Sequence, residues 1–356
     1  MMDYQSDPSS YERQYVAAKD RYENVSYRQF GASGLKVSPI TLGTWQNFGE
    51  LEPREVVRSL YLTAFDHGIN SFDFGNNYGR PPGSAEVLFG SFITGELARY
   101  RDELIVTTKA GYEMWPGPNG RGSSLKYLIS SLDQSLLRLK LDYVDIFYSH
   151  CFDPDTPIEE VADALDFIRR SGRALYVGIS SYPHKQTVEI CNALKERGTQ
   201  LLALQTNYSI FSQWPEKSIL GLCHQYGIGF AAFSPLAQGL LTPKYVSGKA
   251  MDSRGMQKNT SVYVNDWELA RKALRGLSKI AAERGQSLSQ MALSWTLRCS
   301  VVATTVMGAR TPEQIIENLK LDLSFTEEEK CAILELGNGI DVDLWKKSRM
   351  SVDNSE

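Results

Sequence analysis

Eight short apolar runs, near 40–43, 69–73, 104–109, 143–150, 174–180, 201–207, 228–234 and 301–308, recur along this chain with helical patterns between them. In one such pattern Leu125, Leu128, Ile129, Leu132, Leu136 and Leu139 follow three- and four-residue spacings, which places an apolar stripe toward a sheet. Strand alternating with helix eight times predicts an α/β fold of one kind, a closed (β/α)8 TIM barrel with its helices outside. A doubly wound open sheet would also alternate, but it usually carries a glycine fingerprint after its first strand. Neither G-x-G-x-x-G nor G-x-x-x-x-G-K-[ST] occurs here. Residues 27–30 and 35–38 flank Gly31-Ala32-Ser33-Gly34 and predict a short β-hairpin ahead of the barrel. The gap before the last strand is long, and its polar stretch 248–265 is expected to form a lid over a ligand. The chain thus divides into an N-terminal arm over 1–25, the barrel over 26–340 and a C-terminal tail over 341–356.

In such a barrel, catalytic side chains gather at the C-terminal ends of the strands. Asp73, Lys109 and His150 end three successive runs, and Ser180, Gln205 with Asn207, and Ser234 end later ones. A lysine at the end of a β-branched run is costly to bury unless it is paired, and Asp73 is its natural partner. Tyr78, five residues past Asp73, is placed to point its phenol at that pair, and the ammonium is expected to lower the phenol's pKa. Each of the four also has a plain structural explanation: a turn cap, a surface aromatic, a structural ion pair, a satisfied core histidine. Their coincidence at one barrel mouth favours a site that donates a proton to a carbonyl.

The balance of 38 Lys and Arg against 42 Asp and Glu, with no basic block, argues against nucleic acid as a partner. Five scattered cysteines, at 151, 191, 223, 299 and 331, with no C-x-x-C pair, predict a reduced chain without a zinc site, and no metal is expected. No apolar run approaches the roughly 18 residues of a spanning helix. The protein is therefore expected to be soluble and cytoplasmic, without a membrane partner.

The stretches FDFGNNYG, LIVTTKAG, DIFYSH, FSPLAQG and VMGARTPEQIIENL resemble the aldo-keto reductase superfamily, over about residues 27–336. Within it they resemble the branch holding the voltage-gated potassium channel β subunits and the bacterial glyceraldehyde 3-phosphate reductases. The resemblance implies that Tyr78 is the general acid, that Asp73 and Lys109 tune it, and that His150 orients the substrate carbonyl. It implies NADPH as hydride donor. Phe233 would stack on the nicotinamide, Ser180, Ser181 and Gln205 would hold its carboxamide, and Thr44, Trp45 and Asp73 would border it. Ser234, Pro235, Leu236, Gln238 and Gly239 would follow the pyrophosphate, where backbone N–H groups can hold phosphate oxygens.

Thr311 is a good N-cap, Pro312 suits the first helical position, and Gln314 is placed to complete a capping box, so phosphate is expected beside Gly308 and Arg310. Gln314, Glu317 and Asn318 match adenosine contacts, and Lys244 and Arg254 match 2′-phosphate contacts, which favours NADPH over NADH. Trp45, Tyr78, His150, Tyr112 and Trp115 would form the substrate walls. Cys151 stands where close relatives have an arginine, which weakens the case for a phosphorylated substrate. Relatives often assemble, so a homo-oligomer is compatible with the resemblance.

The reading is NADPH-dependent reduction of small aldehydes or ketones, glyceraldehyde 3-phosphate and similar short aldehydes among them. The alternative is an NADPH-binding regulatory subunit of the channel type with slow turnover, although those relatives replace the histidine that this chain keeps. A third reading makes Lys109 a Schiff-base nucleophile, which pairing with Asp73 opposes.

Overall fold

The structure, a computed structural model, describes residues 15–246 and 264–342. A two-stranded antiparallel hairpin comes first, β1 (Arg28–Gln29) and β2 (Lys36–Val37). The barrel strands follow as β3 (Ile40–Gly43), β4 (Ser71–Asp73), β5 (Ile105–Ala110), β6 (Val144–Ser149), β7 (Ala174–Ser180), β8 (Leu201–Asn207), β9 (Gly229–Phe233) and β10 (Val302–Met307). All eight are parallel, neighbours in sequence are neighbours in space, and β10 pairs with β3 to close the ring. Each of the eight expected runs became a strand within about two residues.

The helix Leu125–Leu139 shows how the outer layer is set. Ser124 caps it by accepting from the Tyr127 N–H, and Leu128, Leu132, Leu136 and Leu139 are buried. Leu125 is exposed, contrary to the expected stripe, and Tyr127 takes the inward position instead. Among the described residues, the long gap before β10 holds the helices Pro243–Val246, Trp267–Glu283 and Leu288–Leu297. The expected lid over 248–265 falls almost wholly outside the described residues. In the described part of the arm, Tyr15 donates to Asp66 (2.7 Å), the Ala17 N–H donates to the Tyr100 hydroxyl (2.9 Å), and Arg21 pairs with Glu103. No helix among the described residues is long and apolar enough to cross a membrane.

The hairpin closes the N-terminal end of the barrel. Phe30 and Val37 pack with Ile105, Ile146, Leu202, Ala231 and Ala303. Gly31 has φ of +55°, and a Cβ there would lie 2.5 Å from the Gly227 carbonyl oxygen and from the Gly229 nitrogen. Gly31→Ala therefore combines backbone strain with a clash against main chain. It is expected to lower unfolding free energy by about 2 kcal/mol or more. Urea denaturation checks this, and an unchanged midpoint would mean the hairpin does not seat as described.

Candidate active site

A cavity of about 780 Å³ opens at the C-terminal ends of the barrel strands, within the size range of small-molecule sites. One end is bordered by Asp73, Tyr78 and His150, and the other by Arg310, Gln314, Glu317 and Asn318.

Asp73 and Lys109 meet because β4 and β5 are adjacent, with Asp73 opposite Thr107 and Lys109 two residues further along the same face. Lys109 is fully buried; its Nζ donates to Asp73 Oδ2 at 2.7 Å and to the Phe74 carbonyl at 2.6 Å. Asp73 Oδ1 accepts from Thr107 Oγ1 (2.7 Å) and Gln205 Nε2 (2.9 Å). On the outer face of β5, Thr108 donates to Glu86, which also pairs with Arg138 at 2.7 Å. Burial lowers the Lys109 pKa below the ordinary lysine value, opposed by the Asp73 charge and by Glu86.

The turn after β4 carries Tyr78 back over this pair. The Asn76 N–H bonds the Lys109 carbonyl (2.8 Å), the Tyr78 N–H bonds the Gly75 carbonyl (2.9 Å), and a Cβ on Gly75 would lie 2.8 Å from the Tyr78 ring. The Lys109 ammonium sits 5.0 Å from the centre of that ring. The expectation that it lowers the phenol's pKa is not met: burial, with Asp73 and Tyr112 adding to it, raises Tyr78 well above the ordinary tyrosine value. Asp73 lies beside Lys109 and offsets its charge, so desolvation wins. His150 moves the other way, held well below the usual imidazole range by burial and then by Lys109. A neutral phenol and a neutral imidazole therefore face each other, with Tyr78 Oη and His150 Nε2 at 3.4 Å. The Tyr112 ring meets the imidazole edge-on, centroids 4.6 Å apart at 80°.

On the Asp73 side, Thr44, Ser180, Ser181 and Gln205 are buried in the cavity wall, and Trp45 and Phe233 line it as well. Thr44 Oγ1 donates to the Asp73 carbonyl at 2.8 Å. One N–H of the Gln205 amide is committed to Asp73, which leaves its second N–H and its carbonyl oxygen as what it can offer a ligand. After β9, Ser234, Ala237, Gln238 and Gly239 all have positive φ, and Pro235 and Leu236 line the cavity with them. The N–H groups of Ala237 and Gly239 bond within this loop to Ser234 and Leu236. Gln238 Oε1 is buried without a partner among the described residues.

Lys244, Gly308, Arg310, Gln314, Glu317 and Asn318 line the other end. Thr311 caps the helix Pro312–Asn318 by accepting from the Gln314 N–H, but the Gln314 side chain bonds the N–H of Arg310, not of Thr311. The return bond of the expected capping box is thus shifted one residue upstream, to Arg310. Buried hydroxyls and amides at one end and two cations at the other fit a phosphate-bearing dinucleotide.

A family model described as the aldo/keto reductase family matches residues 39–336. The chain belongs to the aldo/keto reductase family. It is 45% identical over 341 residues to "L-glyceraldehyde 3-phosphate reductase" of Escherichia coli K12, covering 94% of this chain and 99% of that one. It is 36% identical over 304 residues to "Probable voltage-gated potassium channel subunit beta" of Arabidopsis thaliana, covering 83% and 90%. As an aldo/keto reductase the protein is an oxidoreductase, of a family that generally uses NAD(P)H.

Trp115 is not among the residues lining this aldo/keto reductase's cavity, contrary to its expected place in the substrate wall. Its ring packs on Tyr127, 5.0 Å away, outside the barrel. Arg254 lies outside the described residues. Thr107, Asn47 and Asn77 were not singled out in the sequence, and all three reach the site. Thr107 could have been found from β5 alternation, since it shares the Lys109 face.

Proposed function

We propose that this aldo/keto reductase reduces small aldehydes or ketones to alcohols with NADPH, using Tyr78 as general acid. The observation that carries the reading is the convergence of Tyr78 Oη and His150 Nε2 at 3.4 Å beside a buried Asp73–Lys109 pair. NADPH, when bound, would supply a hydride to the carbonyl carbon. In the Nε2–H tautomer, His150 donates to the carbonyl oxygen and fixes its position. Tyr78 gives its proton to that oxygen as negative charge develops there. Lys109 then stabilises the resulting phenolate, while Asp73, bonded to Thr107 and Gln205, holds the lysine in place.

Phe233 would stack on the nicotinamide, and Ser180, Ser181 and the Gln205 carbonyl would hold its carboxamide, with Thr44 and Trp45 beside it. The Ser234–Gly239 loop would follow the pyrophosphate, and Gln314, Glu317 and Asn318 the adenosine. Lys244 and Arg310 at the far end favour NADPH over NADH. Trp45 and Tyr112 would wall the substrate. Short aldehydes fit, and the substrate named in the Escherichia coli relative belongs to that range. Cys151, next to His150, brings no cation for a phosphate: burial and Asp153 push its thiol up to about 12. A Schiff base on Lys109 is disfavoured, because that lysine is fully buried and bonded to Asp73.

The test is a panel of neutral and phosphorylated short aldehydes with NADPH and NADH, followed at the nicotinamide absorbance. NADPH oxidation is expected, with a KM roughly tenfold or more below that for NADH, corresponding to about 1.4 kcal/mol. Tight NADPH binding without turnover across the whole panel would overturn the reductase reading in favour of a regulatory subunit.

A further inference from the structure

We infer that Tyr127, on a helix outside the barrel, is a positioning residue that sets the His150 side of the active site through Tyr112. Tyr127 is fully buried, and its single hydroxyl joins two loops. It accepts from Asn76 Nδ2 at 3.1 Å and donates to the Tyr112 carbonyl at 2.5 Å. Asn76 belongs to the turn that presents Tyr78 and is anchored by its own N–H to the Lys109 carbonyl. Tyr112 begins the loop after β5 and lines the cavity. The Tyr127 ring also packs on Trp115, so one side chain grips that loop at two points. The loop is closed on itself by Met114 N–H to the Gly120 carbonyl (2.9 Å) and Gly122 N–H to the Gly111 carbonyl (2.8 Å). A shift at Tyr127 would therefore move it as one piece.

His150 needs such a support. Its Nδ1 is buried without a partner among the described residues, and its Nε2 makes only the long contact to Tyr78. Histidines that must keep one orientation are usually held through the second ring nitrogen. Two aromatic edges flank the imidazole, Tyr78 with centroids 5.7 Å apart and Tyr112 at 4.6 Å, and the nearer one, Tyr112, is the closer limit on its rotation. The Asn76–Tyr127–Tyr112 chain thus links the turn bearing the proposed acid to the wall that orients the proposed carbonyl ligand. A phenylalanine at 127 would keep the packing on Trp115 and break both bonds.

This inference rests on the reductase reading for its kinetic consequence, but its structural part is measurable without turnover. The chain has four histidines, so histidine-selective NMR resolves His150 once a His150→Asn spectrum assigns it. In Tyr127→Phe the His150 ring resonances are expected to shift or broaden while those of His67, His184 and His224 stay. In the same variant kcat for a short aldehyde should fall roughly tenfold or more, as expected for a misplaced carbonyl ligand, with the NADPH Kd within about twofold of the parent. Asn76→Ala, which removes the other arm, should move the same resonances less, and it serves as the probe if Tyr127→Phe does not fold. Unmoved His150 resonances, or a fall in kcat without them moving, would overturn the inference. Moved resonances in a protein whose parent turns over no carbonyl would uphold the relay and sink the reductase reading.

Discussion

Tyr78→Phe is expected to slow carbonyl reduction by roughly 10²- to 10⁴-fold, the span over which positioned acids contribute. NADPH binding should survive. The substitution removes one oxygen whose near neighbour is His150 at 3.4 Å, and the ring stays seated against Gly75. The pH dependence should carry the same signature. Burial raises the Tyr78 pKa, so the phenol keeps its proton from acid through neutral pH and the acid function fades only in strong alkali. His150, held below its usual range, is neutral near neutral pH and should leave no step near pH 6.5. Stopped-flow reduction with Tyr78→Phe and the parent, alongside a fluorescence titration of NADPH, separates chemistry from binding. Turnover within about tenfold of the parent would show that another group supplies the proton.

Most of the strands were legible because their apolar runs are buried on both faces, as in β5, β6 and β8, and because several end on a polar group at the cavity. Asp73, Lys109 and His150 could be picked out by their place at those ends. The direction of the Tyr78 shift could not, since it depends on how far the ring sinks and on whether Asp73 offsets the ammonium, both properties of the packed site. Contacts across long sequence separations were equally hidden: Gln205 reaches Asp73 over 132 residues, and Tyr127 reaches Asn76 over 51. Trp115 read as a substrate wall because its loop follows Lys109 closely. The loop folds back at Gly120, where a Cβ would lie 1.8 Å from the Trp115 carbonyl oxygen, and the indole packs on the outer helix instead.

The Asp73–Lys109 pair should show its energetics when broken from either side. Asp73→Asn leaves the ammonium with neutral acceptors and no counter-charge beside it, inside a fully buried site. Lys109→Met leaves Asp73 Oδ2 without its partner, although Oδ1 keeps Thr107 and Gln205. Removing one partner of a buried pair typically costs about 3–5 kcal/mol, because the other charge is stranded away from water. Replacing both partners strands neither, so the double variant Asp73→Asn with Lys109→Met is expected to be more stable than either single variant. Urea unfolding of the four proteins closes a double-mutant cycle whose coupling measures the stranded charge. Simple additivity of the two costs would mean that the pair is solvated or already neutral. Turnover should follow a different order: all three variants lose the ammonium or its anchor, so none should recover the rate, however well the double variant folds. A double variant that regained both stability and turnover would separate Lys109 from the chemistry.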